Sequence, residues 1–330
     1  MSKIWKVGAC DGLASQVAEK FHSDAQFDFT DLKNEEKTVE LLSTYDFLIL
    51  RSATQIKEDF LTQLPNLKGI IRAGVGVDNI DLNQSSALGV AVWNAPSGNF
   101  QSAAEHSIAL MMSMMRNSPQ SSSDARILKW SKKEWASSGR MIQGKTLGLV
   151  GLGNIGQRVA RIAQALEMSV QFFDPVVESF AGAKKLSFEE VIKSSDVISI
   201  HVPLIEATKN LFTDQEFSSM KSDAFLINVS RGGIVCEKSL LAALMEGQIS
   251  GAAFDVFESE PFDKGDTDFY ERLLAHPRFI GTPHLGASTQ EGQLAVAEEC
   301  YSKLKRALNG SSAEDWPKTL NNLEICRLDS

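Results

Sequence analysis

The chain has 330 residues, which is more than one hydrophobic core usually serves, so its length predicts two domains. Hydrophobic residues make up 43% of the chain and charged residues 23%, a composition that excludes disordered and fibrous proteins. The formal net charge of -9 argues against general affinity for nucleic acid or anionic membranes, because both select clustered Lys and Arg.

The sequence indicates neither a membrane protein nor a metal protein. No apolar run approaches membrane-spanning length, and the first residues contain no apolar signal core, so we expect a cytoplasmic protein. The cysteines are scattered, at Cys10, Cys236, Cys300 and Cys326, without a CxxC pair or a His-Cys cluster at zinc spacing. Free thiols and no metal site are therefore expected.

Short β-rich apolar runs alternate with helix-like segments along the chain, which is typical of parallel α/β sheets. The first series of predicted strands comprises 6–10, 47–50, 69–72 and 90–93. The second series comprises 146–150, 170–173, 197–200, 225–229, 252–256 and 279–281. A strongly apolar helix is predicted between the series at 103–115, and another helix at 289–308, ended by the polar residues 309–312. Two doubly wound α/β units in tandem are predicted.

A glycine loop, Gly151–Gly156 (GLGNIG), follows the first strand of the second series and precedes a helix-like segment. Gly151 permits a tight turn, Gly153 lets the backbone approach a pyrophosphate, and Gly156 lets helix and strand pack closely. An isolated GxGxxG is as often only a tight turn, but this strand-turn-helix context favours a dinucleotide site. Its predicted cofactor-binding residues are Gly151, Gly153, Asn154, Ile155 and Gly156.

Asp174 ends the next predicted strand, where a carboxylate suits the hydroxyls of the adenosine ribose. A 2′-phosphate would be repelled there, and residues 175–183 contain no Arg or Lys to receive one. NAD is therefore predicted in preference to NADP.

Three further motifs follow in order, NVSRGG at 228–233, FDVFESEP at 254–261 and TPHLG at 282–286. Together with the glycine loop they resemble the D-2-hydroxyacid dehydrogenase family. The resemblance covers nearly the whole chain, because three other segments also look like those of the family, RAGVGVDNI at 72–80, NAP at 94–96 and HVPL at 201–204.

The resemblance implies a flavodoxin-like substrate domain, formed here by residues 1–98 and 290–330, and a Rossmann-type NAD-binding domain formed by residues 99–289. It places the active site in the cleft between them. Family members are commonly homodimers built on the cofactor domains. Ile108, Met111, Met112 and Met115 on the apolar helix suit such an interface and suit a buried core equally well.

By the same resemblance, His284 takes the hydroxyl proton when a 2-hydroxy acid is oxidised and returns it in the reverse reaction. Glu260 hydrogen-bonds the imidazole, and Arg231 holds the substrate carboxylate and the carbonyl oxygen. The remaining expected contacts are Asp255 with the nicotinamide carboxamide, His201 and Pro203 near the nicotinamide, and Arg51, Val75 and Gly76 with the substrate. His106, in the apolar helix, is expected to be structural.

The segments around Arg51 and 72–80 most resemble those of the members that oxidise 3-phosphoglycerate, which makes this the leading substrate. Glyoxylate or hydroxypyruvate reduction is the alternative, because the same catalytic set serves any small 2-oxo acid. A binding protein that senses NAD(H), as in the C-terminal binding protein corepressors, is a second class of hypothesis. The residues after Leu308 are too few for an appended ligand-sensing domain, so feedback through one is not expected.

Overall fold

The computed structural model describes residues 3–57, 59–309 and 319–321. Contacts between Cα atoms divide the chain into two units. The first unit extends to Asn99 and resumes at Ala287, and the second extends from Phe100 to Gly286. These divisions lie within three residues of the domain boundaries predicted from the sequence. None of the helices among the described residues is long and apolar enough to span a membrane.

The first unit is built on a five-stranded, wholly parallel sheet in the order β2-β1-β3-β4-β5. Its strands are β1 (Trp5–Ala9), β2 (Phe27–Asp31), β3 (Phe47–Leu50), β4 (Gly69–Arg72) and β5 (Ala91–Asn94). Its helices are α1 (Ser15–Ser23), α2 (Val39–Leu42), α3 (Asp59–Thr62), α4 (Leu82–Ala87) and, from the end of the chain, α13 (Gln290–Asn309). This strand order is that of flavodoxin-like folds.

The second unit contains a seven-stranded parallel sheet in the order β12-β11-β10-β9-β6-β7-β8. Its strands are β6 (Thr146–Val150), β7 (Ser169–Phe173), β8 (Ala183–Lys185), β9 (Val197–Ile200), β10 (Phe225–Asn228), β11 (Gly251–Phe254) and β12 (Phe279–Gly281). Its helices are α5 (Asn99–Met115), α6 (Ser118–Arg126), α7 (Lys132–Ala136), α8 (Asn154–Ala165), α9 (Phe188–Ser194), α10 (Asp214–Ser219), α11 (Glu237–Glu246), the 3₁₀ helix η1 (Phe262–Lys264) and α12 (Thr267–Leu274). The order matches a Rossmann-type sheet.

Buried strands are central to each unit. All side chains of β3, β9, β10 and β11 are buried, as expected for strands covered by helices on both faces of a parallel sheet. Helix ends follow local chemistry as well: Ser187 and Glu190 form a reciprocal capping box at the start of α9, and Gly247 ends α11 with φ 70°.

The sequence did not predict two strands, β2 and β8, because both are short or polar. In β2 two apolar residues alternate with polar ones, because this strand lies at the edge of its sheet. β8 is a three-residue edge strand that contains two lysines. The polar stretch after α5, which carried no predicted element, forms α6, in which no residue is buried.

The apolar face of α5 was predicted to form either a subunit interface or a buried core. Ile108, Met111 and Met115 are buried in the core of the second unit, whereas Met112 is 41% exposed. Three of the four side chains proposed for a subunit interface therefore belong to the core.

Residues 319–321 lie along the edge of the first unit's sheet. Leu320 N donates to the Val92 carbonyl at 2.8 Å, and the Asn321 side chain bonds Val92 N and the Val90 carbonyl. The predicted helix end at 309–312 lies mostly outside the described residues, as does Cys326.

Candidate active site

The residues predicted to form the site in the second unit all follow β-strands at their carboxyl ends. Parallel strands bring these ends to one edge of the sheet, and ligands of such folds bind where the strand order reverses. The reversal occurs at β6, which pairs with both β7 and β9. The residues along this edge are Gly151 after β6, Asp174 after β7, His201 and Pro203 after β9, Arg231 after β10, Asp255 and Glu260 after β11, and His284 after β12.

The glycine loop is shaped by close backbone contacts. Gly151 adopts φ +94°, and a Cβ atom there would lie 2.6 Å from the His201 carbonyl oxygen. A Cβ on Gly156 would lie 2.4 Å from the Gly151 carbonyl oxygen. At Gly153, by contrast, a Cβ would meet nothing within 4 Å. Two glycines therefore allow the turn to form, and the third leaves open space above the loop.

The open space lies at the N-terminus of α8. Gly153 is the N-cap residue and supplies no side-chain cap. The backbone N–H groups of the first turn, which begins with Asn154 and Ile155, therefore have no acceptor from the cap. Such N–H groups and the helix dipole favour a phosphate. The loop therefore fits the pyrophosphate of a dinucleotide.

Asp174 holds the loop from the end of the neighbouring strand. Its carboxylate accepts hydrogen bonds from Leu152 N at 2.7 Å and from Val176 N and Val177 N at 2.8 Å each. Burial raises the pKa of Asp174, but the three backbone donors outweigh it, and the pKa lies below its usual range. The group is thus a carboxylate at neutral pH, suited to ribose hydroxyls and unfavourable for a 2′-phosphate.

His201 is neutral in this structure. Burial lowers its pKa to about 4, and its Nε2 lies 2.8 Å from Ser199 Oγ. A neutral, partly buried imidazole can line a nicotinamide site without serving as a cation. Pro203, two residues on, fixes the next turn, where Thr208 Oγ1 donates to the Pro203 carbonyl at 2.5 Å.

His284 and Glu260 form the central pair of the site. His284 Nδ1 lies 2.6 Å from Glu260 Oε2, and both side chains are 35% exposed. The other carboxylate oxygen, Oε1, accepts a hydrogen bond from Phe257 N at 2.8 Å. Because Nδ1 faces the carboxylate, Nε2 is the ring nitrogen left for a substrate.

The loop that carries His284 folds around Asp255. His284 has φ 54°, a left-handed conformation unusual for a residue with a side chain, and its N–H donates to the Asp255 carbonyl at 2.8 Å. The Asp255 carboxylate accepts from Thr282 Oγ1 at 2.5 Å, Leu285 N at 2.8 Å and Gly286 N at 2.7 Å. These bonds stabilise the strained turn at His284.

Asp255 is fully buried, and His106 Nε2 on α5 lies 3.2 Å from its Oδ1. Burial raises the pKa of Asp255, but the hydrogen bonds from His106, Thr282 and the two backbone groups bring it below its usual range. These bonds give Asp255 a role in holding the His284 loop, and its contact with a nicotinamide carboxamide stays a prediction. The same geometry also agrees with a structural role for His106.

Arg231 lies on a turn that packs against the segment carrying Glu260. Asn228 orders this turn, since its Nδ2 donates to the Arg231 carbonyl at 3.0 Å and its Oδ1 accepts from Ser230 N at 3.1 Å. A Cβ on Gly232 would lie 1.9 Å from the Phe257 carbonyl oxygen, so only glycine permits this approach. The Arg231 guanidinium donates from Nη1 to the Ser230 carbonyl at 2.6 Å.

Arg51, Val75 and Gly76 belong to the first unit, at the carboxyl ends of β3 and β4. A cavity of about 180 Å³ opens in that unit, and its lining includes the cations Arg51 and Lys33. Asp11 also lines it, but its carboxylate accepts from Arg51 N at 2.6 Å and from Thr54 Oγ1 at 2.6 Å. Asp31 lines the cavity as well, so two carboxylates accompany the two basic side chains.

Sequence reasoning missed three residues that support the site in the second unit, namely Thr282, Glu237 and Tyr270. Thr282 stands inside a recognised motif, so its neighbourhood gave a signal. No sequence pattern marked Glu237 and Tyr270, because they lie on two different helices that contact the Glu260 turn only in the folded chain. No group of three or more His, Cys, Asp or Glu side chains in the described part of the chain is arranged to hold a metal ion.

Comparison with known proteins decides the family. The family model described as D-isomer specific 2-hydroxyacid dehydrogenase, NAD binding domain, matches residues 108–286, more than half of the chain. The chain belongs to this family.

Individual relatives agree with the assignment. D-3-phosphoglycerate dehydrogenase of Bacillus subtilis is 41% identical over 304 residues, which cover 91% of this chain and 55% of that protein. The NAD complex of formate dehydrogenase from Staphylococcus aureus superposes with a TM-score of 0.83 at 29% identity, over 92% of this chain and 96% of that one. D-lactate dehydrogenase from Aquifex aeolicus, complexed with NAD and lactic acid, gives 0.84 at 26% identity, over 94% and 97%. The chain spans about half the length of the curated relatives it matches.

We expect Gly232→Ala to disrupt the site, because its methyl group would displace the Phe257–Glu258 peptide and with it Glu260. A displacement of about 1 Å can lower turnover by about 100-fold. The measurement is kcat for NADH oxidation with a 2-oxo acid substrate. Gly139→Ala is the control, since its Cβ would make an ordinary 3.6 Å contact. Equal turnover in both variants would contradict the packing argument.

Proposed function

We propose that the chain is an NAD-dependent oxidoreductase that interconverts a small D-2-hydroxy acid and the corresponding 2-oxo acid. The observation that carries this proposal is the exposed His284–Glu260 pair, with its 2.6 Å hydrogen bond, on the same sheet edge as the glycine loop. An acid-base pair beside a dinucleotide loop suits transfer of a proton and a hydride to the same carbonyl group.

His284 and Glu260 have separate roles in the proposed reaction. NAD, when bound, supplies the hydride acceptor for oxidation and, as NADH, the hydride donor for reduction. His284 removes the hydroxyl proton through Nε2 during oxidation and returns it during reduction. Glu260, bonded to Nδ1, fixes the orientation of the ring and stabilises the imidazolium that forms.

Arg231 complements this pair. Its guanidinium is planar and permanently charged, which suits bidentate binding of a substrate carboxylate and stabilises charge on the carbonyl oxygen. Its turn packs against Phe257, three residues before Glu260. The predicted substrate contacts of Arg51, Val75 and Gly76, and the cytoplasmic location, stay predictions.

We propose 3-phosphoglycerate as the substrate. Relatives from three organisms named D-3-phosphoglycerate dehydrogenase are 38% to 41% identical to this chain. The cavity of the first unit contains two groups able to bind a phosphate, Arg51 and Lys33, beside the carboxylates of Asp11 and Asp31.

The test is an assay of NADH oxidation at 340 nm with 3-phosphohydroxypyruvate, hydroxypyruvate, glyoxylate and pyruvate in parallel, each repeated with NADPH. Preference for the phosphorylated acid with NADH is the expected result. Preference for an unphosphorylated acid favours glyoxylate or hydroxypyruvate reduction instead. Absence of turnover with all four acids, in protein that binds NADH, contradicts the enzyme proposal and favours an NAD(H)-sensing binding protein.

His284→Ala should retain NADH binding and lose most turnover, because it removes the proton donor. General acid catalysis contributes about 100-fold to 10,000-fold to such reactions. The measurements are kcat in the same assay and the dissociation constant of NADH by fluorescence. His22→Ala, in the first unit, is the control and should behave as wild type. Normal turnover by His284→Ala would contradict the assignment.

Asp174→Ala should weaken NADH binding and leave kcat at saturating NADH nearly unchanged. Loss of hydrogen bonds to a charged group corresponds to roughly a 10-fold to 100-fold increase in the dissociation constant. Titration of NADH fluorescence measures it, with Glu178→Ala, 82% exposed at its side chain, as the control. Wild-type affinity of the Asp174 variant would show that this carboxylate does not support the cofactor.

We propose a homodimer formed through an apolar patch of the second unit. Leu128 and Trp130 are 94% and 89% exposed, and Ile127 and Met141 are also exposed. Trp130 and Met141 line one surface pocket, and exposed apolar side chains that lie together are typical of an interaction surface. Together they offer apolar area for a second copy of the chain, a role that the buried residues of α5 do not have.

Trp130→Glu should convert the dimer to a monomer, because it places a charge in the apolar interface. Size-exclusion chromatography with light scattering measures the mass of each variant. Met245→Glu, at an exposed methionine on α11, is the control and should keep the mass of the wild type. A dimer in both variants would mean that this patch is not the interface.

A further inference from the structure

The segment that carries Glu260 begins in the core of the second unit, where Phe257 is buried. It follows β11 as a turn, and Glu260 Oε1 accepts from Phe257 N at 2.8 Å, which closes the turn on itself. That bond joins the carboxylate to the buried Phe257, and the N–H groups of the two residues between them, Glu258 and Ser259, have other acceptors. Acceptors for these two N–H groups would fix Glu260 more closely against His284.

Glu237 and Tyr270 provide these acceptors. Glu237, the first residue of α11, accepts a hydrogen bond from Glu258 N through Oε1 at 2.8 Å. Tyr270 on α12 accepts from Ser259 N through its hydroxyl oxygen at 2.9 Å. The same hydroxyl donates to Glu237 Oε2 at 2.9 Å. Two consecutive N–H groups, immediately before Glu260, are thus bound by one side-chain pair.

The pair is buried, and its burial is unfavourable for a carboxylate. Glu237 is 4% exposed and Tyr270 is also 4% exposed. Burial raises the pKa of Glu237 to about 7, with smaller contributions from the facing carboxylates of Glu258 and Glu260, and burial raises the pKa of Tyr270 to about 12. Apolar side chains would fill this space at lower cost, so the polar pair indicates a need to bind the two N–H groups.

We propose that Glu237 and Tyr270 are positioning residues that hold Glu260 within hydrogen-bond reach of His284. The inference rests on the proposed function, in which Glu260 orients the catalytic imidazole. In this role neither residue needs to contact the substrate. They act through the backbone of Glu258 and Ser259, by keeping the Glu260 Oε2 to His284 Nδ1 separation at 2.6 Å.

The first test compares Tyr270→Phe and Glu237→Leu with wild type. Both remove an anchor of the turn, and a misplacement of about 1 Å lowers kcat by roughly 10-fold to 100-fold. The dissociation constant of NADH should change by less than about 2-fold, because the glycine loop is untouched. Wild-type kcat in both variants would overturn the proposal.

Two further variants test whether the loss of kcat comes from misplacement of Glu260, from loss of the Glu237 charge, or from general destabilisation of the protein. Glu237→Gln keeps an acceptor for Glu258 N and can donate to the Tyr270 oxygen, so it should retain kcat within about 3-fold. Loss of activity equal to that of Glu237→Leu would assign the effect to charge and contradict the proposal. Tyr301→Phe breaks a similar tyrosine–carboxylate bond, 2.7 Å to Asp24 in the first unit, and should leave kcat unchanged.

A double-mutant cycle tests the route of the effect. If Tyr270 acts through Glu260, then Tyr270→Phe should lower kcat no further in the background of Glu260→Ala. A structural role independent of Glu260 predicts that the two losses multiply. Multiplicative losses would overturn the proposal, and thermal midpoints of all variants show whether each is folded.

A crystal structure of Tyr270→Phe distinguishes failure of this inference from failure of the proposed function. The Glu260 Oε2 to His284 Nδ1 separation should lengthen beyond hydrogen-bond reach, about 3.5 Å, whether or not the protein turns over any acid. An unchanged separation contradicts the inference alone. A lengthened separation in a protein without turnover supports the positioning role and contradicts only the proposed function.

Discussion

Parallel strand pairing is the constraint on which the rest of the structure depends. A parallel strand cannot join its neighbour through a tight turn, so the chain returns by a crossover and each strand ends at the same edge of the sheet. Residues far apart in sequence, such as Gly151, Asp174 and His284, are brought to that edge for this reason alone. The chemistry of the site lies in the turns that follow the strands.

Two buried carboxylates in these surroundings behave differently, and hydrogen-bond donors decide the difference. Asp255 accepts from Thr282 and two backbone N–H groups and contacts His106, so its pKa lies below the usual range despite complete burial. Glu237 has fewer donors and faces two other carboxylates, so burial prevails and raises its pKa to about 7. The first organises the His284 turn, and the second anchors the Glu260 turn.

Close backbone packing connects these turns. Gly232 brings the turn of Arg231 against the carbonyl oxygen of Phe257, and Gly156 brings α8 against the glycine loop. In both places a single methyl group would overlap a main-chain oxygen. Main-chain atoms cannot move aside as a flexible side chain can, so the positions of Arg231 and Glu260 are set jointly by the fold.

The sequence by itself determined the class of fold, the glycine loop, NAD as the cofactor and the family, because these depend on local patterns: apolar runs, glycine spacing and ordered motifs. It missed the edge strands β2 and β8, where polar residues weaken the pattern, and left the face of α5 undecided. Only the tertiary structure showed that Ile108 and Met111 belong to the core and that the His284 loop encloses Asp255. It also showed that Glu237 and Tyr270 bind the backbone of the Glu260 turn. The reason is that contacts between separate helices and strands depend on how the chain packs, and no local pattern records them.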